Sequence, residues 1–415
     1  MRIGISCYPT FGGSGVVATE LAMALATGGD EVHVISYALP SRLLALCGSL
    51  RGDGLVPPPE LYANLHYHEV VVPNYPLFEY PPYSLALATK MVEVARRERL
   101  DVLHAHYALP NAVSAVLARQ IVAPQRLPVV TTLHGTDITL VGNDPSYLET
   151  TRFGIAQSDA VTSVSEWLKA RTLDTFGLGE SIEVVPNFVD PRRYERARHL
   201  PGAARWARPG ERILVHISNF RPVKRVLDVV EVFHRVRSEM PARLLLVGDG
   251  PDRAKVERRC RELGGCEAIT WIGNLPLVEE VLIGADLFLL TSDAESFGLA
   301  ALEALACEVP VVGARAGGLP EVVADGETGY LLPVGDVDGM ARAALSLLAD
   351  PERNRRFGEA ARRRAVERFR QDAVVARYRG IYERVLGAAQ TPAAGAARQP
   401  AFAGAAAAGA AVDPR

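Results

Sequence analysis

The sequence has little lysine, little cysteine and no long apolar run. Its net charge of −3 gives no electrostatic reason to expect nucleic acid or a membrane surface as a partner. No apolar stretch approaches the ~20 residues of a membrane-spanning helix, and the opening MRIGISCYPT lacks the basic and apolar regions of a signal peptide. These absences predict a cytoplasmic protein that binds neither membrane nor nucleic acid.

The five cysteines are scattered and show no CxxC spacing, which argues against a metal site. A sparse, odd set in a cytoplasmic chain predicts reduced, mostly buried thiols and no disulfide. These residues are Cys7, Cys47, Cys260, Cys266 and Cys307.

Strand-like runs rich in β-branched residues alternate with helical stretches along most of the chain. Helices are expected at about 16–26, 84–99, from about Pro110, and 145–158, and strands include RIGIS, DVLHAH, RILVHIS and LFLLTS. This alternation is typical of βαβ units with a mainly parallel sheet. The sequence therefore predicts an α/β protein with two doubly wound, Rossmann-like domains and a ligand cleft between them.

The pattern also suggests domain limits. The alternation lapses into Pro, Arg and Gly after residue 190 and restarts near 205, which separates a domain at 1–190 from one at 205–369. A helical stretch at 351–386 has a break near Phe369, and its last part, about 370–388, is expected to pack back on the first domain. Residues 390–415 are Ala, Gly and Pro with few bulky side chains, which predicts disorder. The Gly/Pro-rich segment 46–61 favours an insertion over a lid, and its role stays open.

Three glycines follow the first strand in the stretch YPTFGGSGVV. Such glycines let a ligand approach the backbone, and the helix after them offers unpaired N–H groups and a positive dipole end. The spacing is neither GxGxxG nor a P-loop. An anion site around Gly13, Ser14 and Gly15 is favoured over a plain turn.

The stretch SNFRPVKR occupies the equivalent position in the second domain. It carries Lys224, one of only four lysines, beside Arg221 and Arg225. A compact point charge for an anion and a solvated basic turn are equally good interpretations of this stretch alone. Turns after later strands, at Gly248 and Asn274, are weak candidates for holding a nucleotide base.

Two carboxylates are separated by seven residues in ESFGLAALE, Glu295 and Glu303. At ~1.5 Å per helical residue, Glu303 lies roughly 8 Å from the helix start. Glycosidases need carboxyl groups ~5 Å or ~6.5–9.5 Å apart that flank one bond. Groups spaced along one helix reach along an extended ligand instead, so a binding site is favoured over a hydrolytic pair.

Glu295-x7-Glu303, followed by GLPEVV, resembles the retaining glycosyltransferases of family 4, which have the GT-B architecture. The resemblance extends to about Leu386. It implies that Glu295 contacts the donor sugar hydroxyls and that Glu303 contacts the ribose of a nucleotide sugar. The donor-site residues it implies are Gly13, Gly15, Asn219, Arg221, Lys224, Gly248, Asn274, Leu275, Glu295, Phe297, Gly298, Leu299 and Glu303.

The same resemblance implies catalytic roles for Lys224, His134 and Glu295. Lys224 would stabilise charge on the departing β-phosphate, and His134 of LHGTD would lie beside the sugar. Many relatives have an arginine where this chain has Asn219, so either Asn219 or Arg221 takes that phosphate contact. His104 and His106 are interpreted mainly as structural.

The stretches CYPTFGGSGVVATELA, FEYPPYSLALA, LHAHYALPNAV and TTLHGTDITLVG are similar to the branch of this family that joins GlcNAc from UDP-GlcNAc to L-malate in the first step of bacillithiol biosynthesis. The resemblance implies an acceptor site of Ser14, Tyr107, Thr136 and Arg152, of which Arg152 rests on resemblance more than on pattern.

No acidic DxD cluster is well placed, so neither a metal nor a cofactor is expected. The alternatives left open are another acceptor (an inositol phosphate, a lipid or a glycan), a UDP-sugar epimerase, and a non-catalytic nucleotide-sugar binder. The sequence leaves the oligomeric state open between monomer and homodimer.

Overall fold

The computed structural model describes residues 1–387 except 11, 47–62, 74–75, 77, 180–181, 196–205 and 207. The predictions for segment 46–61 and for the tail 390–415 lie outside the described residues. The exception is Leu46, which is the last residue of a short helix. None of the helices in the described ranges is long and apolar enough to cross a membrane.

Strands and helices alternate along the described chain. The strands are β1 Arg2–Ser6, β2 Glu31–Ser36, β3 Leu65–Glu69, β4 Val102–His106, β5 Val129–Leu133, β6 Ala160–Ser163, β7 Ile182–Val184, β8 Arg212–Ile217, β9 Ala242–Val247, β10 Ile269–Gly273, β11 Leu287–Leu290, β12 Val311–Ala314 and β13 Gly329–Leu332. The helices are α1 Gly13–Thr27, α2 Ser41–Leu46, α3 Tyr83–Arg97, α4 Val113–Val122, α5 Thr136–Thr139, α6 Leu148–Ala156, α7 Glu166–Phe176, α8 Val226–Glu239, α9 Arg253–Leu263, α10 Glu279–Leu282, α11 Leu299–Ala306, α12 Leu319–Val322, α13 Val337–Leu348, α14 Pro351–Phe369 and α15 Gln371–Gly387.

These strands form two parallel sheets, which confirms the predicted α/β class. The first sheet has the order β3-β2-β1-β4-β5-β6-β7, and the second has the order β10-β9-β8-β11-β12-β13. Strands β4 and β5 are buried along their whole length, as expected for a parallel sheet covered by helices on both faces. In both sheets the order reverses next to the first strand, where doubly wound proteins have their ligand crevice.

The predicted break near Phe369 is confirmed. Helix α14 ends at Phe369, and α15 begins at Gln371. Arg370 between them is extended (φ −69°, ψ 133°) and forms a parallel β-bridge with Val189. The chain therefore passes between the two sheets at two adjacent points, 189 and 370.

Helix α15 packs against α1 and the first sheet, although it follows the second sheet in the chain. Tyr378 and Tyr382 are buried in one apolar cluster with Ile3, Ile5 and Leu21. The Tyr382 hydroxyl lies 2.7 Å from His104 Nδ1 of β4. The first sheet thus owes part of its core to the C-terminal helix.

The expectation that no cysteine forms a disulfide is wrong for one pair. Cys260 and Cys266 are joined, with their Cα atoms 5.7 Å apart. Cys260 lies in the last turn of α9, and Gly264 and Gly265 (φ 78° and 79°) turn the chain back so that Cys266 meets it. A spacing rule based on CxxC does not detect this turn.

Candidate active site

The GGSG turn lies at the carboxyl end of β1 and packs tightly on its own backbone. A Cβ at Gly15 would lie 2.4 Å from the carbonyl oxygen of Tyr8, so no larger residue fits there. The Gly12 carbonyl accepts hydrogen bonds from the N–H groups of Gly15 (3.1 Å) and Val16 (3.2 Å) at the start of α1. A Cβ at Gly13 would lie 3.7 Å from Leu299. The turn therefore faces the start of α11 in the second domain.

Three of the four residues expected to bind the acceptor come together beside this turn. The Tyr107 hydroxyl lies close enough to the side chains of Ser14 and Thr136 for both to lower its pKa. Burial raises the pKa of Tyr107, and the positive charge of Arg221 in the second domain opposes this shift. Tyr107 has φ 92°, a conformation that costs a non-glycine residue free energy and is found disproportionately at functional sites. These groups form a polar cluster at the carboxyl ends of β1, β4 and β5.

Arg152, the fourth acceptor candidate, lies on α6 and is partly buried. Within the described ranges its guanidinium has neither a hydrogen-bond nor an ion-pair partner. Most other partly buried arginines of this chain are paired with carboxylates or backbone carbonyls, for example Arg193 and Arg243. The structure thus leaves Arg152 available to bind an anion, without placing it in contact with Tyr107.

His134 directly follows the strand β5, and ring contacts hold it on both faces. Its ring stacks on Tyr107, with centroids 5.6 Å apart and planes 17° apart. Its Nε2 lies 2.9 Å from His106 Nδ1, so that one ring donates a hydrogen bond to the other. Burial lowers the pKa of His134 to about 3, which makes the ring neutral at neutral pH. Sequence reasoning interpreted His106 as structural and missed this contact, because only the pairing of β4 with β5 brings the two rings together.

Asp137 organises the loop that carries His134 and Thr136. Its Oδ1 accepts hydrogen bonds from the N–H groups of Gly135 (2.7 Å) and His134 (3.2 Å), and its Oδ2 accepts one from Ala108 N–H (3.1 Å). The carboxyl group is fully buried, and burial raises its pKa to about 6 despite these hydrogen bonds. Asp137 therefore fixes the ends of β4 and β5 relative to each other.

Lys224 and Glu295 are paired. Lys224 Nζ lies 2.6 Å from Glu295 Oε1, which also accepts a hydrogen bond of 2.7 Å from Ser292 Oγ. Lys224 lies in a single 3-10 turn after β8, and Glu295 follows β11, the neighbouring strand. The carboxyl ends of these strands bring the two residues together across 71 positions of sequence.

The two carboxylates of the E-x7-E element occupy different surroundings. Glu303 is buried in the second turn of α11, and its Oε1 accepts a hydrogen bond of 2.8 Å from the Tyr194 hydroxyl. Burial raises the pKa of Glu303 to about 7, against the opposing effects of Arg42 and of this hydrogen bond. Gly298 takes φ 99° at the N-cap, where a larger residue would be strained.

Phe297 was expected to offer its backbone amide, at the start of α11, to the donor. Its side chain is only 2% exposed and packs edge-on against Phe369, with centroids 5.6 Å apart. Only its backbone can face a ligand. The turn therefore presents the amides of Phe297, Gly298 and Leu299 at the start of α11, while the phenyl ring anchors it to α14.

The remaining donor candidates lie at the carboxyl ends of β8, β9 and β10. Asn219 and Asn274 are exposed, and Leu275 is partly buried. A Cβ at Gly248 would lie 1.8 Å from the Ser218 carbonyl oxygen, so the loops after β8 and β9 touch backbone to backbone. Neither Asn219 nor Arg221 has a side-chain hydrogen bond in the described part of the chain. The structure therefore leaves open which of the two would contact the phosphate.

The two domains are in direct contact around the cleft. Ser165 Oγ donates a hydrogen bond of 2.6 Å to the Ser296 carbonyl, and a Cβ at Gly135 would lie 2.5 Å from Ser296 Cβ. The carboxylate of Glu321, on the short helix α12 of the second domain, accepts hydrogen bonds from the backbone N–H groups of Glu166 and Trp167, both at 2.9 Å. A carboxylate from one domain thus caps helix α7 of the other, where the helix dipole favours negative charge.

Comparisons with known proteins agree with this geometry. Residues 11–193 match the family described as Glycosyltransferase Family 4, and residues 204–364 match Glycosyl transferases group 1. The N-acetyl-alpha-D-glucosaminyl L-malate synthase of Bacillus anthracis is 47% identical over 387 residues, which cover 93% of this chain and 97% of that protein. The D-inositol 3-phosphate glycosyltransferase of Nocardia farcinica is 28% identical, over 84% of this chain and 79% of its own length.

Solved structures share the architecture at low identity. Anabaena HepE in complex with UDP and glucose superimposes with a TM-score of 0.75 at 19% identity, over 92% of this chain and 99% of that one. A glycosyltransferase from Rickettsia africae gives 0.72 at 19% identity, over 93% and 98% of the two chains. These likenesses concern the fold, which is that of the GT-B enzymes. By its family matches and its relatives, the chain belongs to family 4 of the glycosyltransferases.

Proposed function

We propose that this protein transfers GlcNAc from UDP-GlcNAc to the hydroxyl group of L-malate with retention of configuration, the first step of bacillithiol biosynthesis. The identity of 47% to the GlcNAc-malate synthase of Bacillus anthracis, over nearly the whole of both chains, supports this assignment. The observation that carries it is the cluster of Ser14, Tyr107 and Thr136, which lies near enough to Arg221 of the second domain for its positive charge to lower the pKa of Tyr107. Small hydroxyl groups and a nearby guanidinium suit a small hydroxy-acid with two carboxylates.

In this proposal the donor lies along the second domain. Glu303 binds the ribose, the amides at the start of α11 bind the diphosphate, and Glu295 binds sugar hydroxyls. Lys224 lies next to Glu295, where its ammonium would also meet the β-phosphate. Its charge stabilises the negative charge that grows on the phosphate as the bond to the sugar breaks.

The transfer proceeds on one face of the sugar. The bond from C1 to the β-phosphate oxygen breaks, the malate hydroxyl oxygen bonds to C1, and the hydroxyl proton passes to the departing phosphate. His134 is neutral at neutral pH because burial lowers its pKa to about 3. We therefore assign it a polar contact with the sugar and not the role of an acid.

The test is UDP release from UDP-GlcNAc with L-malate, D-malate, inositol 1-phosphate or water as acceptor. Release with L-malate alone is the expected result. Release with inositol 1-phosphate instead would keep the donor site and overturn the acceptor. Isomerisation of UDP-GlcNAc with no acceptor would indicate an epimerase, and tight UDP-GlcNAc binding without any turnover would indicate a binding protein.

A further inference from the structure

Arg42, Tyr194 and Glu303 form a buried chain of hydrogen bonds that no motif of the sequence indicates. Arg42 Nη2 lies 2.9 Å from the Tyr194 hydroxyl oxygen, which lies 2.8 Å from Glu303 Oε1. The Arg42 side chain is 3% exposed, and Tyr194 is also 3% exposed. Arg42 comes from α2 in the first domain, Tyr194 from the segment after residue 190, and Glu303 from α11 in the second domain.

The direction of this chain is fixed by chemistry. An arginine can only donate, so the Tyr194 oxygen accepts from Arg42. The single hydroxyl hydrogen of Tyr194 must then point to Glu303 Oε1. That hydrogen bond favours the ionised carboxylate and fixes its orientation, which leaves Oε2 to accept a hydrogen bond from another group.

Further contacts of Arg42 anchor this chain of hydrogen bonds across the contact between the domains. Arg42 Nε donates to Glu20 Oε1 of α1 at 2.7 Å, and Arg42 Nη1 donates to the Pro276 carbonyl. Arg193 joins the same Glu20 to Glu279 of α10, at 2.5 and 2.8 Å. The orientation of Glu303 is therefore tied to the contact between the two domains.

We propose that Tyr194 is a positioning residue for donor recognition, which orients the Glu303 carboxylate toward the ribose hydroxyl groups and does so only when Arg42 bridges the two domains. This inference rests on the proposed function, in which Glu303 binds the ribose. Glu20, Tyr194, Leu299 and Glu303 line one small cavity between α1 and α11. Tyr194 and Glu303 therefore line the same cavity, at the end of the cleft where the proposed function puts the ribose.

The surrounding charges determine how pH affects the protonation of Glu303. The charged groups around Glu303 and Tyr194 are Glu20 on α1, Arg42 on α2, Asp190 and Arg193 near Tyr194, Glu279 on α10 and Arg362 on α14. Burial raises the pKa of Glu303 to about 7, and the Tyr194 hydrogen bond acts in the opposite direction. Loss of the hydroxyl raises this pKa further, so the carboxyl group is protonated at higher pH. A protonated carboxyl group loses an acceptor for the ribose.

The experiment measures the binding of two nucleotides to wild type and Tyr194→Phe by calorimetry at pH 6, 7 and 8. The nucleotides are UDP and 2′,3′-dideoxy-UDP, so their affinity ratio reports ribose recognition alone. Wild type is expected to prefer UDP by about tenfold at pH 8. In Tyr194→Phe the preference should fall to about threefold or less, and its loss on acidification should begin at higher pH. Equal weakening of both nucleotides would overturn the proposal.

Two further variants separate the possible failures. Tyr67→Phe removes a tyrosine hydroxyl that donates to the Ser36 carbonyl at 3.2 Å, away from this chain of hydrogen bonds, and should leave the ratio unchanged. Glu303→Gln should abolish the preference for UDP. If Glu303→Gln has no effect, the ribose contact of the proposed function is wrong. If Glu303→Gln abolishes the preference for UDP but Tyr194→Phe leaves that preference intact, only the role of Tyr194 is wrong.

Discussion

Lys224 Nζ and Glu295 Oε1 lie 2.6 Å apart, so the two residues proposed to act on opposite ends of the bond that breaks also hold each other. The Lys224 side chain is 21% exposed and the Glu295 side chain 10%. Each charge therefore keeps the other in place at the cleft. A substrate phosphate that approaches Lys224 would share its charge with Glu295.

Lys224→Ala should lower kcat by about 10²–10³-fold and change the KM for UDP-GlcNAc much less, because the charge acts mainly on the departing phosphate. Steady-state kinetics of UDP release measures both constants. Lys255→Ala is the matched control, since Lys255 pairs with Asp252 on α9. An unchanged kcat in Lys224→Ala would remove this lysine from the chemistry.

Arg152→Ala should raise the KM for L-malate by about 10–100-fold, the effect of losing a charge-assisted hydrogen bond to a carboxylate. The KM for UDP-GlcNAc should change little, because Arg152 lies on α6 in the first domain. Arg171→Ala, which removes a surface arginine paired with Asp174, serves as the control. Equal increases for both substrates would contradict the acceptor assignment.

Glu321→Ala should weaken the contact between the domains without unfolding either. Capping interactions of this kind contribute about 0.5–2 kcal/mol, so the KM values should rise by about 2–30-fold. Hydrogen exchange at Glu166 and Trp167 should accelerate, because Glu321 accepts both amides. Glu327→Ala, in the exposed turn before β13, should change neither quantity. Unchanged exchange at these two amides would show that the cap contributes nothing.

Acid should destabilise the fold through its buried histidines. Burial lowers the pKa of His104 and His134 to about 3 and that of His216 to about 4. The unfolded chain titrates them near pH 6.5, so it binds more protons below that pH. The stability they contribute is present above pH ~6.5 and is lost as the pH falls toward these values. Asp137 and Glu303, with pKa values raised to about 6 and about 7, act in the opposite direction over part of this range.

Urea unfolding at pH 7.5 and 5.0 measures this effect. In His104→Asn the free energy of unfolding should change less with pH, by ~1.4 kcal/mol per pH unit, which corresponds to about one proton fewer taken up on unfolding. The substitution also lowers stability by removing contacts with Tyr382 and Thr132. Parallel pH profiles in wild type and His104→Asn would contradict the assignment.

The sequence predicted features that depend on neighbours in the chain. Alternating strands and helices gave both parallel sheets, and the glycine-rich turn marked the start of α1. The expectation that Glu295 and Glu303 lie along one helix is wrong for Glu295, which lies in the loop before α11, while Glu303 lies on the helix. Contacts between distant segments were missed. Arg42 and Tyr194 are 152 positions apart, and the pairing of His106 with His134 depends on adjacent strands. The packing of the Phe297 ring against Phe369 was also not predicted, because a local pattern does not show which side of a turn is covered.

The position of α15 has a consequence for synthesis of the protein on the ribosome. Tyr378 and Tyr382 complete a core whose other members, including Ile3 and Leu21, emerge first. A nascent chain that ends before residue 371 therefore exposes apolar surface of its first domain until the last helix has been made. Truncation before residue 371 would for the same reason yield an aggregation-prone fragment.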